Sequence, residues 1–228
     1  MSLPARDSGG DQPFAVKDCA LAAIATGRRA HTLRELYDGV SATTPSSLYY
    51  HFWGGLLRPR FDDPEYNNDF AVWAFRDFHD ETLAERLSVI DPTDYTDMEE
   101  LRQEVLDTLE ERLDEDPVVS WKRAESAFTF IRSQIVVLDT HTTITHPREM
   151  PEIVSAMSLG SVFYHFIDAR RRPPIGINDF SAWIVGAFPE HTPLAERLAH
   201  LDPYFNRLAG LRRQLAGVLA DYFGEAAS

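Results

Sequence analysis

Along "TDMEELRQEVLDTLEERL" (Thr96–Leu113), the apolar positions Leu101, Val105, Leu109 and Leu113 recur at helical spacing, with acids and arginines between them. The segment opens on Thr96 and Glu99, a capping box in which the hydroxyl and the N3 carboxylate satisfy the first free amides. "FNRLAGLRRQLAGVLADYF" predicts a second long amphipathic helix, with Leu208, Leu211, Leu215, Val218 and Tyr222 on one face. "TLRE" (Thr32–Glu35) is another capping box, and Pro147 is placed to take a first helical position. In "TPSSLYYHFWGGLL", Thr44 suits an N-cap, Pro45 the first turn, and Leu48, Phe52 and Leu56 follow one turn apart. Asn68 and Asn178 are placed to cap helices that bury Phe70 and Trp73, or Phe180 and Trp183. Two segments lack this spacing. "FAVKDCALAAIAT" and "FTFIRSQIVVLDT" are apolar runs that predict a strand or a short hairpin, the second being richer in β-branched residues. The resulting class is α+β and predominantly helical.

The pattern occurs twice. Residues 14–52 align without a gap on 128–166, and 11 of the 39 pairs are identical, ending with "SLYYHF" on "SVFYHF". Further along, "NDFAVW" falls on "NDFSAW", and "LAERLSVIDP" on "LAERLAHLDP". This predicts an N-terminal arm (1–13), a first repeat (14–115), a linker (116–126) and a second repeat (127–224), the two repeats related by pseudo-twofold symmetry.

The 228 residues, 44% hydrophobic and 11% aromatic, suffice for packed cores. The opening "MSLPARDSGGDQP" has no apolar stretch of the signal-peptide kind, and the longest apolar run, "CALAAIA", is far short of the roughly 20 residues that cross a bilayer. A soluble, cytoplasmic protein without membrane partners is the expectation. The net charge of −14 opposes binding to nucleic acid, whose phosphates need lysine and arginine. Between Asp91 and Asp116, 12 acids stand against Arg102 and Arg112, which reads as a solvated helix face. The lone Cys19 allows no internal disulfide and sits where a buried, inert thiol is expected.

"TLRELYDGVSATTPSSLYYHF" superficially looks like the helix-turn-helix of tetracycline-repressor-type regulators. That reading implies one DNA-reading helix, whereas this segment recurs 114 residues later with its flanking motifs, and the loop "RPRFDDPEYN" offsets its arginines with acids. The residues that carry the duplication, "YYHF", "NDFAVW" and "LAERL" with their second counterparts, resemble instead the bacterial and archaeal domain-of-unknown-function family 5752. The resemblance runs from Phe14 to Phe223. It implies a fold relationship and supplies no activity.

The sharpest chemical candidates are His51 with Asp69 and His165 with Asp179, at equivalent positions in the two repeats. A carboxylate on one imidazole nitrogen fixes the tautomer, as in acid–base sites and behind metal ligands. If the repeats pack about a twofold axis, the two histidines converge on one metal or anion. The competing reading is that each pair locks its own unit together. Asp62, Asp63 and Glu65 in "FDDPEYNND" are hard oxygen donors suited to Mg²⁺ or Ca²⁺, although their spacing matches no EF-hand. Arg170, Arg171 and Arg172 are candidates for holding a phosphate, or for pairing with that acidic loop. The offset of His141 and His146 fits neither a helix pair nor one strand face. Trp53, Trp73, Trp121 and Trp183 read as core or interface anchors. No nucleotide-binding loop, nucleophile elbow or zinc-protease motif occurs, and no specific motif implies a cofactor. The functional expectation is a non-catalytic interaction or regulatory module binding a protein partner or small ligand between the repeats. A metal-dependent enzyme using both His/Asp pairs is the alternative, and DNA-binding regulation ranks behind it.

Overall fold

The computed structural model describes residues 13–57, 65–116, 118–204 and 207–225. The chain is α+β, with helices dominating a single two-stranded sheet among the described residues. Strand β1 (Phe14–Ala30) and strand β2 (Phe128–Ile144) are each one unbroken strand rather than a hairpin. Thr26 Oγ1 donates to the Phe130 carbonyl and Thr140 Oγ1 to the Val16 carbonyl, so the strands run in opposite directions. Two compact units divide the chain inside both strands. One unit takes the described residues up to Cys19 and those from Val137 onward, and the other takes Ala20–Val136.

That division runs differently from the boundaries 14–115, 116–126 and 127–224 read from the sequence, because the first half of each strand is grouped with helices of the other sequence copy. The segment read as a linker also makes specific bonds inside the central unit. The Ala124 amide donates to the His31 carbonyl and the Glu125 amide to the Asp77 carbonyl.

In the central unit, Thr32 accepts the Glu35 amide at the start of α1 (Leu33–Ala42), and Glu35 accepts the His31 amide, the reciprocal capping the sequence encodes. Helix α2 (Pro45–Trp53) begins at Pro45, but Thr44 makes no cap bond; its hydroxyl lies 3.0 Å from that of Ser46 instead. Every residue of α2 from Ser47 to Trp53 is buried, so the side chains a DNA-reading helix would present face the interior. Asn68 caps α3 (Asp69–Arg76) by accepting the Ala71 amide, and its amide nitrogen donates to the Leu87 carbonyl at the end of α4 (Glu81–Ser88). The cap of α5 (Met98–Glu115) is Asp97, one residue after the threonine the sequence favoured. Its stripe Leu101, Val105, Leu109 and Leu113 is buried as expected, with α5 against α1 and α3 against α4. Phe70 stacks on Phe128 at 5.1 Å and 13°, an arrangement worth about 1 kcal/mol beyond area burial.

The other unit follows β2 with a 3₁₀ turn at Pro147–Glu149, then α6 (Met150–Ala156), the short α7 (Leu159–Val162) and a π-helical turn over Phe163–Ile167. Asn178 caps α8 (Asp179–Ala187) by accepting the Ser181 amide, and α9 (Thr192–Ala199) packs on α8. Helix α10 (Leu208–Glu225) packs on α6 and buries Leu208, Leu211, Leu215, Leu219 and Phe223. The last two replace the expected Val218 and Tyr222, since four-residue steps from Leu211 carry the stripe one position further. Trp53 and Trp73 are core residues and Trp183 is half-buried, but Trp121 is 86% exposed and lies outside any core.

Candidate functional site

His51 sits at the buried end of α2 with 2% exposure, its ring 4.7 Å from that of Phe128 and 5.3 Å from that of Phe70. Asp69, the first residue of α3, lies 3.0 Å from Nδ1, and Nε2 accepts the Ile131 amide of β2 at 3.1 Å. An imidazole nitrogen that accepts a backbone N–H carries no proton, so the ring is the Nδ1–H tautomer and donates to the carboxylate. The other unit has the same arrangement. His165 Nδ1 lies 2.7 Å from Asp179, Nε2 accepts the Lys17 amide of β1 at 2.8 Å, and Phe14 packs at 4.8 Å.

Each histidine is therefore paired with the aspartate the sequence assigned to it, and the two pairs belong to different units. Nothing in the sequence indicates what lies on the other ring nitrogen. There, each histidine ties a helix to a strand amide, leaving neither nitrogen free for a metal or a substrate proton. Among the described residues, no group of three or more His, Cys, Asp or Glu is arranged to hold a metal ion. Asp62 and Asp63 lie outside the described residues, while Glu65 is exposed.

The three arginines are occupied within their own unit. Arg172 donates to Asp179 at 2.9 Å and to the hydroxyl and carbonyl of Tyr164, its guanidinium 4.0 Å from that ring's centroid. Arg171 pairs with Asp168 at 2.8 Å, and Arg170 lies over the Phe166 ring at 5.0 Å. Cys19 Sγ donates to the Gly160 carbonyl at 3.4 Å. Burial pushes its thiol up to about 12, and the carboxylates of Asp168 and Asp18 add to the shift, so it is no nucleophile at neutral pH.

A cavity of about 330 Å³ opens in the same unit, between the start of β1, the end of β2 and helices α6 and α7. Val16, Met157 and Ser161 are its buried floor, half-buried Asp18 lies in the wall, and exposed Glu152, Thr142 and Ser158 form the rim. Helix α7 meets the strand closely at Gly160, where a Cβ would collide with the Asp18 carboxylate and the Cys19 carbonyl. Its volume lies at the low end of the range for small-ligand sites. None of its lining residues had been singled out from the sequence. The signal available there was a size difference between aligned positions, Val16 against Phe130 and Thr142 against Arg28.

Residues 11–220 match the model of the Family of unknown function (DUF5752). The chain belongs to that family. The family resemblance read from the sequence is thereby confirmed, and the membership names no activity. No curated protein matches the sequence. The solved structure of OrfY from Thermoproteus tenax is similar, with a TM-score of 0.75 and 29% identity over 96% of this DUF5752 chain and 97% of OrfY. No helix among the described residues is long and apolar enough to cross a membrane.

Proposed function

We propose that this DUF5752 protein is a non-catalytic binding module built from two diverged copies of one unit, and that its small-molecule site is the cavity beside Val16. The observation that carries this reading is a difference between aligned positions. At the places aligned with Val16 and Ile153, the central unit has Phe130 and Gly39, and a Cβ on Gly39 would collide with the Phe130 ring. At the place aligned with Thr142 it has Arg28, whose guanidinium donates to the Gly39 carbonyl at 3.4 Å. One unit fills this region with its own side chains, and the other leaves about 330 Å³. An empty volume forgoes packing contacts, and a ligand that fills it would supply them. The bonding of both histidines on both nitrogens supports a binding role over acid–base or metal chemistry.

The direct test is a fragment screen by ligand-observed NMR, run on the wild type and on the double variant V16F/I153G, which copies the central unit's solution. Binders that are lost on filling the cavity are expected, and a screen without any such binder overturns the reading. Elemental analysis of the purified protein addresses the enzyme alternative. Stoichiometric metal that disappears in both His51→Gln and His165→Gln would replace the binding module with a metal-dependent enzyme.

A further inference from the structure

We infer that the ligand of this cavity is a small organic cation, an ammonium or guanidinium group on a short apolar stem. The inference rests on the cavity reading above and adds the ligand's charge class. Two of the ten lining residues are charged, Asp18 and Glu152, and both are acids. Neither forms an ion pair with a described residue; the one bond Asp18 makes is local, its Oδ1 accepting the Cys19 amide at 2.7 Å. Lys17, the nearest base in sequence, is engaged with Asp139 at 3.0 Å. The hydroxyls of Thr140, Thr142, Ser158 and Ser161 add acceptors, while Val16, Ile153 and Met157 supply apolar surface for a stem. A half-buried carboxylate over an apolar floor favours a ligand that brings its own positive charge, since charge-assisted hydrogen bonds are shorter and stronger than neutral ones.

A second observation comes from the central unit. At the position aligned with rim residue Thr142, the chain itself lays a guanidinium on an alkyl stem, Arg28, against the Gly39 carbonyl. In the cavity-bearing unit that side chain is cut back to threonine, and an acid, Asp18, stands where the central unit has Arg132. A cation supplied by the chain in one unit is in this way supplied from solution in the other. The reversed charge at Arg132 restricts the site to one per chain.

The test is calorimetric titration of the full chain with n-hexylammonium and agmatine, against hexanoate and 1-hexanol as charge-reversed and neutral controls. Saturable binding of the amines at one per chain is expected, with hexanoate silent. Asp18→Asn keeps the acceptor for the Cys19 amide and the side-chain shape, so it should fold, and it should weaken amine binding by about tenfold or more. A thermal unfolding midpoint for Asp18→Asn equal to that of the wild type excludes a folding defect. Hexanoate or hexanol binding as tightly as hexylammonium overturns the cation while leaving the cavity reading intact. Absence of saturable amine binding overturns the cation too, and the fragment screen then decides separately whether the cavity binds anything. Amine binding unchanged in both Asp18→Asn and V16F/I153G removes the ligand from this cavity.

Discussion

Replacing His51 by phenylalanine tests whether the histidine is a structural strut. The phenyl ring retains the apolar contacts with Phe128 and Phe70, at 4.7 and 5.3 Å, but can neither donate to Asp69 nor accept from Ile131. Leaving the half-buried Ile131 amide without its acceptor costs about 1–3 kcal/mol. The bond to Asp69 adds about 0.5–1.5 kcal/mol, kept low because that side chain, 21% exposed, can turn to water. The expected total is about 1.5–4.5 kcal/mol, a change of roughly ten- to two-thousandfold in the opening equilibrium. Hydrogen–deuterium exchange read by mass spectrometry should show this as faster exchange in the peptide that contains Ile131, with urea unfolding of the same variant giving the overall loss. His165→Phe is the matched experiment, with Lys17 as the reporting amide. If either variant loses less than about 0.5 kcal/mol, the level of an ordinary surface substitution, and its reporting amide stays protected, the imidazole is not holding the strand and the argument fails.

Cys19 should resist iodoacetamide in the folded protein across neutral and mildly alkaline pH and react at once after denaturation, as intact-mass measurement would show. Its folded value near 12 exceeds the ordinary 9.0, so its contribution to stability is complete below pH 9 and is lost as the pH rises from there toward 12. Gly39→Ala drives a Cβ into the Phe130 ring and should cost about 1–3 kcal/mol. Adding Phe130→Leu should cost less than the two single changes summed, and an additive double-mutant cycle would show that the ring does not set the glycine requirement.

The helices were legible because their signals are local. Thr32 with Glu35, Asn68 and Asn178 each cap within three residues of themselves, and the structure uses all of them. Where two local signals compete, the sequence misleads by a residue, as when Asp97 rather than Thr96 caps α5. The His/Asp pairs were legible only by half. The aspartates recur at matched positions, but the strand amides on Nε2 come from Ile131 and Lys17, far from the histidines in sequence and carrying no side-chain signature. The cavity was illegible for a different reason. It is defined by atoms that Val16 and Thr142 lack, and an absence is visible only against the larger residue at the aligned position.

The positions that align between the two units fall into two groups. His51 with His165 and Asp69 with Asp179 keep residue type and the bond that joins two elements of a unit, and Asn68 and Asn178 each keep the bond that caps their own helix. Losing such a bond would leave a buried polar group unpaired in either unit, a cost to folding in both. Phe130, Arg28 and Arg132 against Val16, Thr142 and Asp18 change size or charge at aligned positions. Stability alone favours the filled solution, because a side chain packed against Gly39 gains contacts that an open cavity lacks. The V16F/I153G variant puts the proposed cavity reading to its sharpest test. If filling the cavity raises stability and abolishes binding together, the space was kept for a ligand at the expense of packing.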